Sequence, residues 1–405
     1  MSDLLPVPEA RARILAGLSR LPSERAPLPE ALGRALASPL TAMRTQPPWD
    51  CSAMDGYAVR AEDARAGATL SVVGEAAAGR SHAGGVGPGE AVRIFTGAPV
   101  PEGADAILLQ EDADRDGDVV SVREAATSGR HIRRAGLDFA AGEALLPAGR
   151  KLGARDLALA AAASHPALDV VRRPRVAILA TGDELVAPGG EIGPDQIVAS
   201  NSYAISAIVA GEGGAPIDLG IAPDRPSAIR AAVARAFSEG ADVVVTLGGA
   251  SVGDHDLVKP ALEAEGVSLA FWKIAMRPGK PMMAGRRGQT LVLGLPGNPV
   301  SSIVCSLLFL VPALRKLLTG ADHAPELLPG VLGRDMPEND RREDYMRAAF
   351  ARDSSGVAVV TAFPRQDSSM LRPMSDAECL LVRPAHASAA KAGDACRYLA
   401  LPFPY

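Results

Sequence analysis

Aromatic side chains are scarce in this sequence of 405 residues, at 4% Phe, Trp and Tyr together. Proteins hold single-stranded nucleic acids largely by stacking bases on aromatic rings, so this kind of binding is not expected. Basic residues are not in excess either, because 42 Lys and Arg against 47 Asp and Glu give a formal net charge of −5. A general nucleic-acid binder needs a positive surface, and we therefore expect no nucleic-acid partner.

Cysteines and long apolar runs are also lacking. The four cysteines occur without C-x-x-C spacing, which excludes a cysteine-rich zinc site and a disulfide framework and favours a cytoplasmic protein. The most apolar stretch, Val300–Leu314, contains three serines and Pro312, and falls short of the roughly 20 apolar residues of a membrane helix. We expect a buried helix there and no membrane partner. Hydrophobic residues make up 47% of the chain, which is ample for packed cores.

The first 173 residues combine helical and β-rich segments. A helix is predicted over residues 3–20 and another over Leu145–Ala163, and we expect the two to pack together. Residues 1–25 and 143–173 would then form a helical N-terminal region, with residues 26–142 inserted as a β-rich module. The module's predicted strands are Ser71–Val73, Ala91–Phe95, Ala106–Gln110 and Val119–Arg123.

From residue 174 the pattern changes to alternating strands and helices, which predicts a doubly wound parallel-sheet domain over residues 174–320. Its last helix is expected to begin with Asn298 as N-cap and Pro299 at the first helical position. The predicted strands are Val176–Ala180, Ile217–Ile221, Val243–Thr246 and Leu291–Leu295, and the helices are Ser202–Ala210, Ser227–Phe237, Leu257–Glu265 and Pro299–Leu318.

Residues 328–405 contain short apolar runs separated by turns, which predicts a small C-terminal β-barrel. Its expected strands are Arg347–Ala351, Val357–Val360, Cys379–Arg383 and Arg397–Ala400. The fold class is thus α/β multidomain: a central parallel sheet, a β-rich N-terminal insert on a helical region, and a barrel.

Glycine-containing loops follow three of the predicted parallel strands. They are Thr181-Gly182-Asp183-Glu184, the loop from Gly248-Gly249 to Asp256, and Leu295–Pro299. Glycines allow close backbone approach, and amides at a following helix start favour anions. One such loop is often an ordinary turn, but three at the same sheet edge predict a phosphate or other oxyanion site.

Acidic residues occur on the same loops, where they would repel a phosphate unless a cation intervened. Asp183, Glu184, Asp254 and Asp256 therefore suggest a Mg²⁺ ion that bridges carboxylates and phosphate oxygens. Helix capping is the alternative, since Asp254 or Asp256 could open the helix near Leu257. The sequence leaves open which acids bind metal and which cap helices.

Basic residues are concentrated between Trp272 and Pro281, where Lys273, Arg277 and Lys280 lie within eight residues. A basic cluster is usually a solvated surface, but the Pro278-Gly279 turn predicts that Arg277 and Lys280 face a shared anion site. Two N-terminal segments, residues 47–60 and 93–101, are also dense in small and polar residues, although each alone is typical of a turn beside a strand.

Six motifs in order make the chain resemble the molybdopterin molybdenumtransferase family, the bacterial MoeA proteins and the E domain of gephyrin. The resemblance covers essentially the whole chain. The motifs are Asp50-x-Ser52-Ala53-Met54-Asp55-Gly56-Tyr57-Ala58, Thr96-Gly97-Ala98-Pro99-x-Pro101, Thr181-Gly182-Asp183-Glu184-Leu185, Gly248-Gly249-x-Ser251-x-Gly253-Asp254-x-Asp256, Pro278-Gly279-Lys280-Pro281 and Gly294-Leu295-Pro296-Gly297-Asn298-Pro299.

The resemblance implies an enzyme that takes adenylylated molybdopterin and molybdate, inserts the metal at the dithiolene and releases AMP with the help of Mg²⁺. It also implies a homodimer whose active site is shared between the α/β domain of one subunit and the N-terminal module of the other. A molybdopterin adenylyltransferase and the acceptors of the finished cofactor are the expected partners.

Residues are assigned by matching positions within the motifs. The resemblance implies catalytic roles for Glu184, Asp256, Asp55, Asp138 and Lys273, and contacts to molybdate for Arg277, Pro296 and Pro299. Arg277 stands where many members have lysine, which changes its phosphate geometry. The residues assigned to substrate binding are Thr96, Thr181, Gly182, Asp224, Gly248, Gly249, Ser251, Lys280, Pro296, Asn298 and Ser368.

Two other functions compete with this one. An adenylyltransferase or nucleotide hydrolase would use the same α/β domain, but the N-terminal module argues against it. A scaffold that binds a partner peptide, as the gephyrin E domain does, would not need acids and cations on all the strand-end loops.

Overall fold

The computed structural model describes residues 4–248, 257–279 and 281–401. It divides into two compact units, one of residues 1–24, 33–37 and 169–405 and the other of residues 25–32 and 38–168. In the described residues the α-helices are α1 (Val7–Leu15), α2 (Ala154–Ala162), α3 (Asn201–Gly211), α4 (Pro226–Ser238), α5 (Val258–Ala264), α6 (Pro299–Cys305), α7 (Val311–Thr319) and α8 (Leu371–Ser375).

The helical predictions for the N-terminal part need correction. Residues 144–146 form a strand, and α2 begins only at Ala154, because Pro147 and Gly149 make a turn in between. The first unit contains α1 and the second contains α2, whereas the sequence analysis assigned residues 1–25 and 143–173 to one helical region. Helix α1 packs against α7.

The second unit contains a six-stranded β-sheet. The order of its strands is β7-β4-β6-β5-β9-β8. Four were predicted, while β4 and β8 were not, because β4 begins with a glycine and β8 is mostly exposed and polar. The strands up to residue 171 are β1 (Ser23–Pro27), β2 (Leu40–Thr41), β3 (Cys51–Ser52), β4 (Gly56–Val59), β5 (Thr69–Ala76), β6 (Glu90–Ile94), β7 (Ala106–Leu109), β8 (Ala113–Asp116), β9 (Val119–Val122), β10 (Ile132–Arg133), β11 (Ala144–Leu146) and β12 (Ala167–Val171).

The central domain of the first unit is built on a second six-stranded sheet, in the order β16-β13-β17-β21-β20-β18. The first four strands are parallel, as predicted, while β20 is antiparallel to both of its neighbours and was not predicted. The strands of this region are β13 (Arg175–Thr181), β14 (Leu185–Val186), β15 (Ile197–Val198), β16 (Ala215–Ala222), β17 (Val243–Leu247), β18 (Ser268–Lys273), β19 (Met276–Arg277), β20 (Pro281–Arg287) and β21 (Thr290–Leu295).

Helices cover both faces of this sheet. On β13, Val176 and Ile178 belong to the core that includes residues of α3, α6 and α7, while Ala177 and Leu179 belong to the core with α4 and α5. Side chains alternate between the faces of a strand, so a strand buried on both faces must be apolar throughout. This confirms the doubly wound architecture inferred from the continuous apolar runs.

The predicted long helix near the end of this domain is present but interrupted. Helix α6 passes into a π turn over Ser306–Leu310 and then into α7, whose Pro312 has no N–H to donate. By length and composition the 21 residues Pro299–Thr319 would suit a membrane crossing, but 78% of the most apolar 18-residue window is buried in protein. Such burial is typical of a core helix.

The C-terminal strands close into the predicted small barrel. Strand β23 pairs with both β24 and β25, which completes a ring of five strands through β22 and β26. Strand β19 adds to β23 in parallel. The barrel strands are β22 (Leu328–Leu332), β23 (Glu343–Arg352), β24 (Ala358–Ala362), β25 (Cys379–Arg383) and β26 (Ala395–Ala400).

Candidate functional site

A cavity of about 800 Å³ opens at the carboxyl ends of the parallel strands. It lies where β13 and β17 are neighbours, the point at which the chain reverses its direction of travel across the sheet. Ligands of open α/β sheets bind at this switch point. Eight of the predicted site residues line the cavity: Thr181, Gly182, Glu184, Asp224, Gly248, Pro296, Asn298 and Pro299.

Gly182 determines where the Glu184 carboxylate lies. Its φ is +145°, and a Cβ at this position would lie 2.2 Å from Glu184 Oε2. Only glycine therefore lets the carboxylate fold back against the strand end. The neighbouring Asp183 is not among the lining residues; its Oδ1 accepts a 3.0 Å hydrogen bond from the Asp224 amide. In this arrangement Asp183 holds the Asp224 loop.

The start of α3 contributes to the same cavity, which sequence reasoning missed. Ser200, Asn201 and Ser202 line the cavity, and Asn201 Nδ2 donates to Gly297 O over 2.6 Å. Ser200 and Asn201 come just before the predicted helix Ser202–Ala210, where residues of these types typically cap a helix, and that was the available signal. The start of α3 thus lies at the cavity beside the predicted glycine loops, and a helix start has amides without intrahelical partners.

A buried hydroxyl group stabilises the third strand-end loop, Leu295–Pro299. Ser302 Oγ donates to Pro296 O over 2.5 Å and is fully buried. Asn298 occupies the N-cap position of α6 as predicted, but its side chain makes no capping hydrogen bond. Its Nδ2 instead donates to Ser368 Oγ over 3.1 Å. The predicted loop contact of Ser368 is therefore directed at the start of α6.

A buried arginine supports the loop that carries Ser368, and it was also missed. Arg347 is only 1% exposed and donates to Gln366 Oε1, Asp367 O and Met370 O. Burial lowers its pKa from the usual arginine value. In the sequence Arg347 was only one residue of a predicted barrel strand, and no pattern indicated that its side chain would be buried.

The two basic residues of this segment that the structure describes, Lys273 and Arg277, have different surroundings. Lys273 ends β18 opposite Pro281, at the sheet edge where the parallel strands also end, but it is not among the cavity-lining residues. Arg277 forms a two-point ion pair with Asp344, with Nε to Oδ1 at 2.7 Å. The hydrogen bonds to Asp344 raise the pKa of Arg277. Its charge is thus already matched by a carboxylate.

Several predicted residues lie outside the described part of the chain. They are Gly249, Ser251, Asp254, Asp256 and Lys280.

In the second unit, the predicted N-terminal motifs come together. Ser52 pairs with Ala98 through their backbones, and Ala53 N donates to His131 O. Asp55 Oδ1 accepts hydrogen bonds from Thr96 N at 2.8 Å and Thr96 Oγ1 at 2.7 Å. These bonds, the backbone one first, hold the pKa of Asp55 below its usual value.

The remaining member of the predicted N-terminal set is Asp138. It is exposed on the turn that follows Arg134. Asp50 holds the start of that turn, since its Oδ1 accepts a 2.8 Å hydrogen bond from Ala135 N. Asp50 directly precedes β3, which pairs with β10, so the turn is attached to the segment that leads to Asp55.

Comparison with known families gives three matches in order along the chain. Residues 5–164 match the MoeA N-terminal region (domain I and II), residues 177–316 match a probable molybdopterin binding domain, and residues 329–401 match the MoeA C-terminal region (domain IV). Together these matches cover most of the sequence.

Individual relatives agree with these matches. The chain is 38% identical to the molybdopterin molybdenumtransferase of Nostoc sp., over 84% of this chain and 82% of the relative, and 33% identical to that of Haemophilus influenzae, over 94% of both. The crystal structure of a molybdopterin biosynthesis MoeA protein from Pyrococcus horikoshii superimposes with a TM-score of 0.83 at 29% identity, covering 98% of this chain and 100% of the other. The chain therefore belongs to the molybdopterin molybdenumtransferase family.

Proposed function

We propose that this protein inserts molybdate into adenylylated molybdopterin and releases AMP in a Mg²⁺-dependent reaction. The observation that carries the proposal is the cavity at the switch point of the sheet, where the Glu184 and Asp224 side chains meet the glycine loops and the start of α3. The names of the relatives support the same substrate class.

The cavity suits a ligand with both flat rings and phosphates. One part of its lining is apolar, with Leu185, Ile197, Val198 and Leu257. The start of α3, with Ser200, Asn201 and Ser202, also lines the cavity, and the amides of a helix start favour phosphate oxygens. Its volume lies in the range typical of small-molecule sites. A pterin or adenine ring against the apolar part would place the pyrophosphate beside the glycine loops.

The described lining fits the ligand chemistry of Mg²⁺. It contains the carboxylates of Glu184 and Asp224 and, among its described residues, no Lys or Arg. No group of three or more potential ligand side chains occurs in the described ranges, but Mg²⁺ needs only one or two carboxylates when phosphates complete its shell. A bound Mg²⁺ would polarise the phosphoanhydride, and Glu184 and Asp224 would hold it there.

Molybdate, the second substrate, carries negative charge and needs a cation of the protein. Lys273 is the described candidate, since it ends β18 at the edge of the sheet where the cavity opens. Arg277 is less available because Asp344 already neutralises it. We therefore assign molybdate to the side of the cavity near Pro296 and Pro299, with Lys273 as its described counter-charge. The sequence assigns the same role to Lys280, which lies outside the described residues.

We further propose that the protein acts as a homodimer in the cytoplasm. Thr96 and Asp138 are exposed, and Asp55, which contacts Thr96, is partly exposed, so a second copy could receive all three at its cavity. An isologous dimer would complete two equal sites in this way. The four cysteines are free, as in a reducing compartment. A molybdopterin adenylyltransferase would supply the substrate, and molybdoenzyme-side acceptors would take the product.

The test is AMP release from adenylylated molybdopterin, followed by chromatography with and without molybdate and Mg²⁺. We expect Glu184→Ala and Asp256→Ala to abolish release while the circular dichroism spectrum is unchanged. Glu191→Ala, an exposed acid close in sequence, is the matched control and should keep full activity. Near-normal turnover in both active-site variants would contradict the assignment.

A parallel reaction separates this proposal from the adenylyltransferase alternative. The protein is mixed with ATP and molybdopterin that has not been adenylylated. We expect no adenylylated pterin, and its formation would instead favour the alternative.

A further inference from the structure

Arg93 lies in the second unit, on β6, and its guanidinium contacts two aromatic rings. Its Cζ is 4.7 Å from the centre of the Phe95 ring and 5.2 Å from that of Tyr57. Cations over aromatic faces are attracted to them, and the planar guanidinium suits this geometry better than an ammonium group. Aromatic residues make up only 4% of this chain, yet two of them contact this one side chain and restrict its orientation.

The same guanidinium makes two hydrogen bonds to groups next to Asp55. It donates to Gly56 O over 2.9 Å and to Gln110 Oε1 over 2.7 Å. Gln110 in turn donates its backbone N–H to Asp55 O. Arg93 is therefore linked directly to Gly56 O and, through Gln110, to Asp55 O, which are the two carbonyl groups that follow the Asp55 Cα.

The backbone at Gly56, directly after Asp55, has no room to move toward strand β7. A Cβ on Gly56 would lie 2.0 Å from Leu108 O, so β4 and β7 are in very close contact there. Phe95, the ring nearest to Arg93, directly precedes Thr96, which donates both of its hydrogen bonds to Asp55. Arg93 thus joins the segment that carries the carboxylate to the segment that holds it.

We infer that Arg93 is a positioning residue, which fixes the direction of the Asp55 carboxylate without touching the substrate. The inference rests on the proposed function, in which Asp55 completes the site of a second copy. The charge of Arg93 also helps to keep the pKa of Asp55 low, after the two Thr96 bonds. Glu111 is a further charged group, and it accepts a hydrogen bond from Gln110.

The inference is tested with Arg93→Ala and Arg93→Lys in the full-length protein. Arg115→Ala is the control, since Arg115 lies on β8 of the same sheet, separated from β6 by two strands. AMP release gives kcat and KM, and NMR of the ¹³C- and ¹⁵N-labelled protein gives the Thr96 amide resonance and the titration of the Asp55 carboxyl. Thermal unfolding verifies that each variant is folded.

For Arg93→Ala we expect kcat to fall about 10- to 100-fold with KM near the wild-type value, because a misplaced group loses contacts made in the transition state. The Thr96 resonance should shift and the pKa of Asp55 should rise. Arg93→Lys should restore the pKa of Asp55 but neither the Thr96 resonance nor the rate.

Unchanged Thr96 and Asp55 signals in Arg93→Ala would overturn the inference, as would full activity of Arg93→Lys with a displaced Thr96 signal. If the wild-type protein releases no AMP, the proposed function fails by itself, and the NMR signals still decide whether Arg93 positions Asp55.

Discussion

Asn298 and Ser368 are 70 residues apart in the chain, yet Asn298 Nδ2 lies 3.1 Å from Ser368 Oγ. The Val300 amide adds a second bond to Ser368 O, also at 3.1 Å. The start of α6 is therefore attached to a loop of the C-terminal barrel, and Ser369 of that loop and Leu371 at the start of α8 line the cavity. The barrel is part of the wall of the candidate site.

The first prediction concerns this attachment. Asn298→Ala removes the side-chain bond to Ser368, so the loop should lose its fixed position and KM for the adenylylated pterin should rise. Losing one hydrogen bond of about 1 kcal/mol predicts a change of about fivefold. Steady-state AMP release is the measurement, and Ser355→Ala, a hydroxyl in an exposed barrel turn, is the control. An unchanged KM in Asn298→Ala would show that the position of the Ser368 loop does not affect substrate binding.

The second prediction concerns Gly182. In Gly182→Ala the new Cβ occupies the place of Glu184 Oε2, so the carboxylate must turn away and the rate of AMP release should fall about tenfold or more. Gly189→Ala is the control, because Gly189 also has a positive φ, +85°, but open space where the Cβ would be. It should lose stability, by about 1 kcal/mol, and keep its rate. Equal rates for the two variants would count against this role of Glu184.

The third prediction concerns the buried Arg347. Arg347→Ala removes the guanidinium donor from Gln366 Oε1, Asp367 O and Met370 O, although Gln366 Oε1 keeps the backbone amide of residue 347 and Asp367 O keeps the Met370 amide. The free energy of unfolding should fall by about 1–3 kcal/mol. Arg347→Lys should not recover it, since an ammonium group cannot reach the same acceptors as the guanidinium fork. Urea unfolding measures both. Arg352→Ala, at an exposed position on the same strand, should change stability by less than about 0.5 kcal/mol.

The fourth prediction is a pH dependence of stability that arises from Cys305. Burial raises the pKa of this thiol to about 12 from its usual 9.0, so the folded protein keeps the proton that the unfolded chain releases. This contribution is fully present below pH 9 and is lost as the pH rises from 9 toward 12, at up to about 1.4 kcal/mol per pH unit.

Urea unfolding between pH 8 and 11 tests this with Cys305→Ala. The variant has no thiol at this position, so its free energy of unfolding should decline less steeply than that of the wild type. Burial also raises the pKa of Cys379 to about 12, and that thiol supplies a slope common to both proteins. Parallel curves for the two proteins would contradict the prediction.

The fifth prediction separates a shared site from a site within one subunit. Asp55→Ala and Glu184→Ala should each be inactive as homodimers. A heterodimer purified with two different tags should regain about half of the wild-type activity, because one of its two sites then has both residues intact. No recovery in the heterodimer would show that Asp55 and Glu184 act from the same chain or in different steps.

Local patterns were sufficient where physical constraints act over a few residues. The continuous apolar runs at 176–180 and 243–246 predicted strands buried on both faces, and the cores on the two sides of β13 confirm this. Pro299 was correctly placed at the first position of a helix. By contrast, Pro147 and Gly149 were passed over in a segment rich in helix formers, and the predicted helix proved to be a strand, a turn and a shorter helix.

The sequence by itself determined the parallel sheet, the edge at which the cavity opens and eight of the residues that line it, because strand ends and glycine loops are encoded within single segments. Only the tertiary structure decided the partners of these residues. It paired Arg277 with Asp344, directed Asn298 to Ser368 and placed Arg93 beside Asp55. Contacts of this kind depend on how distant segments meet, and a pattern of neighbouring residues does not record that geometry.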